Sequence, residues 1–374
     1  MSRRGHGEGS IYQRKDGRWA GSITLEGRKR KTFYGKTRKE VQEQLKVALH
    51  QKQQGTLVSS PRQTVEQFLT HWLEKAHKST ICIRTYIRYQ QHLRVHIIPA
   101  LGHYQLQKLS PQHLQAFYTL KLEEGLSAQT VFAFHSLLHK ALDTAVRWSL
   151  LSRNVCDAVS PPRPKRHEIH TLTPEQAQQL LKAVNNHRLK ILFVLALATG
   201  MRLGELLCLK WQDINDGSLQ VRRTLYYVSK VGFVEAEPKT EKSRRNIILP
   251  AFVLEELKQH RIRQLEERLK AGEAWQEHNL VICTVIGGYI SPGDISSKLL
   301  RNILQKAGLP RIRFHDLRHS AATLLLSMGV HPKVVQELLG HSQISMTMDI
   351  YSHVLPTMQK EAMEKINTLL QGQR

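Results

Sequence analysis

A handful of residues in this chain have the types and order needed to move a phosphoryl group through a side chain. Such chemistry needs a nucleophile, several fixed cations around the phosphate and a proton donor for the departing oxygen. Arginine suits the second role, because its planar fork grips two phosphate oxygens and keeps its charge. Preorganised charge of this kind is usually the largest catalytic contribution. The candidates are Arg202 in ATGMRLGELLCLKW, His315 and Arg318 in HDLRHS, His341 in LLGHS and Tyr351 in DIYSHV.

Local context supports each unequally. An apolar helix breaks at Gly200, and Arg202 follows at the next helix start. A cation there gains nothing from the helix dipole, so the position is mildly unexpected for a surface arginine. His315 and Arg318 are three apart and share a helix face, and the apolar run Ala321 to Leu326 anchors that helix in a core. A solvated face is the plainer alternative. So is zinc, since His315 and His319 are four apart, but the zinc pattern wants Glu where this chain has Asp316. His341 directly follows Gly340, which suits a helix end. Tyr351 lies among Met348, Asp349, Ser352 and His353, a mixed setting. By residue type alone a half-buried core tyrosine is the favoured reading.

Behind these residues stand three stretches of different character. Residues 1–55 form a small basic module. Ser10 to Gln13, Trp19 to Leu25 and Arg28 to Tyr34 are separated by Asp16-Gly17 and Glu26-Gly27, which are hairpin signals. A helix follows from Thr37 to about Gln53. After a linker at Ser59 to Arg62, residues 64–158 are helical throughout. Starts at Thr64, Ser79-Thr80, Ser110-Pro111 and Ser127 predict a bundle of about four helices. Ser160 to Arg166 holds three prolines in four positions and is the clearest boundary. Residues 168–374 are mixed. Helices are expected over 173–187, 189–199, 252–271, 295–307, 315–328 and 332–339, with strands near 219–228 and 244–249. The fold class is therefore mainly α with small β-sheets.

Bulk composition points to the partner. The 374 residues carry a formal net charge of +24, and a chain this basic usually meets a polyanion, most often nucleic acid. The excess is +9 over residues 1–60, +7 over 61–165 and +8 over the rest, so every part is equipped to touch a long polyanion. Cys82, Cys156, Cys208 and Cys283 are scattered with no CxxC pair, which argues against a disulfide framework or zinc ribbon. MSRRGHGEGS has no apolar signal-peptide stretch, and no window approaches ~18 consecutive apolar residues. A cytoplasmic protein without a membrane partner is expected.

Taken together, the motifs closely resemble the catalytic domain of tyrosine recombinases, the phage and transposon integrases. That family's signature is an Arg, a Lys, an H-x-x-R pair, a second His or Trp, and a Tyr, in that order. Arg202, His315, Arg318, His341 and Tyr351 match it over about residues 168–365. The family's lysine lies in a hairpin turn before a strand. Here Lys239 best fits the K-T context, with Lys242 as competitor.

The resemblance implies that Tyr351 attacks a DNA phosphate to give a 3′-phosphotyrosine. Arg202, Arg318 and His341 would hold the non-bridging oxygens, Lys239 would protonate the 5′ oxygen, and His315 would assist the tyrosine's proton. It implies an arm-type DNA-binding domain at 1–55, a helical core-binding (SAM-like) domain at 64–158 and a catalytic domain at 168–374. It also implies double-stranded DNA attachment sites as substrate, a homo-tetramer on DNA, and accessory DNA-bending or excision factors. The apolar helical spacing of Pro356, Met358, Ala362, Met363, Ile366 and Leu369 would suit docking on a neighbouring subunit. Bond energy kept in the phosphotyrosine removes the need for ATP or a metal cofactor, and the sequence has no P-loop. A type IB topoisomerase shares the chemistry but not the two front modules. A DNA-binding regulator that kept only the fold would have lost one of the six residues.

Overall fold

Alternating short segments split by tight turns build the first element. In a computed structural model, described over residues 10–24, 30–53, 63–165, 170–237 and 244–340 plus Ile344, Met348, Met363, Ile366, Asn367 and Leu370, the chain divides into two units, Met1–Arg166 and His167–Arg374. Strands β1 (Ser10–Gln13), β2 (Trp19–Thr24) and β3 (Arg30–Gly35) form an antiparallel sheet in chain order. Helix α1 (Arg38–Gln53) begins where the Thr37 hydroxyl accepts the Glu40 N–H at 3.2 Å. Leu45 and Ala48 of α1 pack against Ile11, Ile23 and Phe33. Ile11, Gly21 and Phe33 stand in register across the three strands. A Cβ on Gly21 would meet Val41 at 2.7 Å, so the helix lies directly on that face.

The rest of the first unit is helical. Its helices are α2 (Val65–His71), α3 (Ile83–His92), α4 (Ile98–Leu101), α5 (Pro111–Glu123) and α6 (Ala128–Arg147). Thr64, Ser110 and Ser127 each accept a backbone N–H at a helix start, as their residue types predict. Ser79-Thr80 does not. The Thr80 hydroxyl donates back to the His77 carbonyl at 2.9 Å, and α3 starts only after Cys82. Leu93–Ile97 carries α3 into α4 without a break in helical backbone, so these residues form four helical runs, as the sequence predicts. They enclose a core of Phe68, Trp72, Leu114, Phe134, Leu138 and their neighbours.

The second unit carries the candidate residues. It contains α7 (Pro174–Ala183), α8 (Lys190–Thr199), α9 (Leu203–Leu206), then β4 (Ile214–Asn215), β5 (Ser218–Val221), β6 (Thr224–Val228), β7 (Gly232–Ala236) and β8 (Arg245–Ile248). Helices α10 (Ala251–Ala271), α11 (Leu300–Lys306), α12 (Phe314–Ser327) and α13 (Pro332–Leu339) follow. Strands β4, β5 and β8 form one antiparallel sheet and β6–β7 a separate hairpin. The single strand expected near 219–228 is therefore two. It breaks at Arg222-Arg223, where Arg223 turns to the buried carboxylate of Asp213 at 2.7 Å. Helix α8 is buried on every side from Ile191 to Ala196, which explains its unbroken apolar run, and it forms the spine of the core.

Candidate active site

The spine ends where the chemistry begins. Gly200 closes α8 in the left-handed conformation with φ +60°, which glycine adopts without penalty. A Cβ there would also meet Leu339 of α13 at 2.3 Å. The absence of a side chain thus lets α8 and α13 come together. Two residues on, Arg202 occupies the position just before α9, with extended backbone.

Arg202 is held by a carboxylate on its own short helix. Its Nη1 donates to Oε1 of Glu205 at 2.8 Å, and its backbone N–H donates to Oε2 at 3.1 Å. Glu205 is 4% exposed. Burial opposes its ionisation, but Arg245 and then Arg202 outweigh burial and hold its carboxyl below the ordinary value. Arg245, the first residue of β8, reaches Oε2 at 2.9 Å.

His315 and Arg318 enter from α12. That helix starts at Phe314, and in its first turn the buried carboxylate of Asp316 accepts the Arg313 backbone N–H at 2.8 Å and pairs with its guanidinium. Asp316 is thus committed to capping, a use the zinc-like reading of His315 and His319 did not foresee. Ser320 pins the next turn, accepting the Leu172 N–H at 2.9 Å. Arg318 is 2% exposed. Its Nη1 donates to the Gly200 carbonyl at 2.7 Å. Its Nη2 is buried and has no hydrogen-bond partner among the described residues. A buried cationic donor left unsatisfied is costly. Burial, with Arg202 and Arg245 adding repulsion, pushes the Arg318 pKa down to about 9, so it remains charged near neutrality.

His315 stands in the same field. Its residue surface is open to solvent, yet desolvation and the charges of His319, Arg318 and Arg202 bring its pKa down to about 4. The His319 ring lies edge-on to it at 4.9 Å. The imidazole is therefore neutral at physiological pH and able to accept a proton. Three guanidinium groups facing one carboxylate leave a surplus of positive charge beside a proton acceptor, which suits an incoming phosphate dianion or diester.

The structure thus gathers Arg202, His315 and Arg318. Lys239, Lys242, His341 and Tyr351 lie outside the described residues, as do most of residues 356–370, of which Met363 and Ile366 are helical and exposed. Glu205 and Arg245 were not singled out from sequence. Glu205 had a local signal, a lone carboxylate in the apolar run LGELLCL three residues after Arg202. Arg245 had none, since its partners lie 40 and 93 residues away.

Comparison with known proteins identifies the family and the fold. Residues 170–358 match the phage integrase family, and residues 64–121 match the phage integrase N-terminal SAM-like domain. A "Tyrosine recombinase XerC-like" protein of Caldanaerobacter subterraneus is 35% identical over 91% of this chain and 92% of its own length. The ICEBs1 integrase of Bacillus subtilis is 30% identical over 71% and 72%. Among solved structures, the Tn1549 transposon integrase in complex with transposon right end DNA superposes with TM-score 0.69 at 22% identity, covering 82% of this chain and 100% of that one. A lambda integrase tetramer bound to a Holliday junction gives 0.57 at 20% identity, covering 93% and 96%.

The fold is that of the integrases, mainly α with small antiparallel sheets. The chain belongs to the phage integrase family and is a tyrosine-type site-specific recombinase.

Proposed function

We propose that this recombinase cleaves and rejoins duplex DNA at the attachment sites of a mobile element, with Tyr351 as nucleophile. The observation that carries the assignment of roles is the buried Nη2 of Arg318, without a hydrogen-bond partner among the described residues, beside Arg202 and His315. Such a donor suits an anionic oxygen such as a phosphate's.

The phenol of Tyr351 attacks phosphorus while its proton passes to the neutral imidazole of His315. An unperturbed phenol has a pKa near ~10, so the surrounding cations also favour its ionisation. Arg202, Arg318 and His341 hold the non-bridging oxygens as charge builds. The bond to the 5′ oxygen breaks, and Lys239 supplies the proton that oxygen needs. A 5′ hydroxyl from a second duplex then reverses these steps and releases the tyrosine, so the phosphotyrosine conserves the bond energy.

Other parts of the chain extend the contact. A cleft of about 690 Å³ beside Arg245 is lined by Arg222, Arg223, Arg244 and Asn246 with Glu235 and Glu237. We assign residues 64–158 to core-site binding and 1–55 to arm-type sites, where Tyr12, Ala20 and Tyr34 line up on the sheet face opposite α1. Two duplexes exchanged through four cleavages call for a homo-tetramer on DNA, aided by accessory DNA-bending or excision factors. A nicked duplex spanning the element–host junction tests the reading. The wild-type chain should become covalently linked to it, and Tyr351→Phe should bind without linkage. An adduct formed by that variant would remove Tyr351 from its role.

A further inference from the structure

We propose that Arg245 is a positioning residue that locks Arg202 and the chain leading to His341 and Tyr351 into one register. The inference rests on the phosphotyrosine reading above.

Arg245 bonds two described segments that are distant in sequence. Its Nη2 donates to Oε2 of Glu205 at 2.9 Å, and its Nε donates to the Leu338 carbonyl at 2.7 Å. The side chains of Arg245 and Glu205 are 6% and 3% exposed, so water competes little for either bond. Glu205 in turn grips Arg202 through side chain and backbone. Leu338 sits in the last turn of α13, where helix carbonyls lack partners within the helix. Gly340 ends that helix with φ +68°, and His341 comes next.

One planar guanidinium thus ties α9, β8 and the end of α13 together. Because the fork is rigid, moving either acceptor strains the other bond. β8 itself follows the stretch that holds Lys239 and Lys242. Arg245 therefore joins α9, β8 and the last turn of α13, the elements next in sequence to the residues given phosphate-binding roles above. Its effect on the reaction is exerted through Glu205 and Leu338.

A lysine at this position keeps the charge but cannot span both acceptors. The test compares wild type, Arg245→Lys, Glu205→Gln and the double variant on the same nicked duplex. Affinity for DNA, thermal unfolding midpoint and single-turnover adduct rate at saturating DNA are measured for each. Arg245→Lys should bind DNA within about threefold of wild type, since phosphate contacts across the whole chain set affinity. Its adduct rate should fall about tenfold to a hundredfold, the scale of a small misplacement of reacting groups. Glu205→Gln should slow the reaction likewise, and the double variant should be no slower than the slower single one. Should Arg245→Lys fail to fold, Glu205→Gln carries the same expectation. A wild-type rate in these variants, a loss in rate matched by an equal loss in affinity, or additive losses would each overturn the inference. Absence of any adduct with the wild-type chain would overturn the underlying reading, and the inference with it.

Discussion

Arg318 donates from Nη1 to the carbonyl oxygen of Gly200 at 2.7 Å, so the turn that launches Arg202 also aims the second arginine. The two guanidinium groups are therefore set by one piece of backbone. Arg318→Ala should lower the adduct rate about a hundredfold or more, as loss of a fixed donor to a developing charge does, while leaving DNA affinity much less changed. Gly200→Ala should both slow the reaction and destabilise the fold by about 1–3 kcal/mol, because it forces a Cβ into left-handed backbone and against Leu339. Denaturant unfolding measures the second effect. An unchanged midpoint would mean that the contact with Leu339 relaxes freely.

The depressed pKa of His315 sets an acid limit with a definite sign. In the native chain this ring titrates at about 4 rather than 6.5, so between those values the unfolded chain takes up a proton that the native site refuses. Its contribution to stability is present above pH 6.5 and is lost as pH falls toward 4. Wild type should lose more unfolding free energy across that window than His315→Gln does. Parallel curves would place the ordinary pKa back on His315.

Salt should weaken DNA binding steeply. A net charge of +24, with an excess in each of the three segments 1–60, 61–165 and 166–374, predicts many released counterions. The logarithm of affinity should fall linearly with the logarithm of salt concentration, with a slope of several units. A flat dependence would argue against contact along an extended stretch of phosphates.

Chelators should leave strand cleavage intact. The charge that stabilises the reacting phosphate comes from side chains, and the bond energy stays in the covalent intermediate. The adduct assay repeated with EDTA should give the wild-type rate. Strict dependence on added magnesium or zinc would assign part of that role to a metal.

How much of this was readable in advance follows from how local each feature is. The helix starts at Thr64, Ser110, Ser127 and Thr173 were legible because a cap is settled within four residues. So was the placement of His315 and Arg318 three apart on one helix, which needs only helical spacing. The start of α3 was misread because Thr80 has two possible partners, and the His77 carbonyl behind it won. The strand over 219–228 was misread for a similar reason. Arg223 chose a buried carboxylate ten residues away, and the strand changed partner there. Arg245 was invisible because nothing next to it in sequence marks either of its acceptors.

Mapping the covalent linkage tests the central claim most directly. Wild-type adduct on the nicked duplex would be digested with nuclease and protease, and the modified peptide sequenced by mass spectrometry. A nucleotide joined through its 3′ phosphate to Tyr351 is the expected product. Linkage at another residue, or DNA cleaved with no protein attached, would contradict the account.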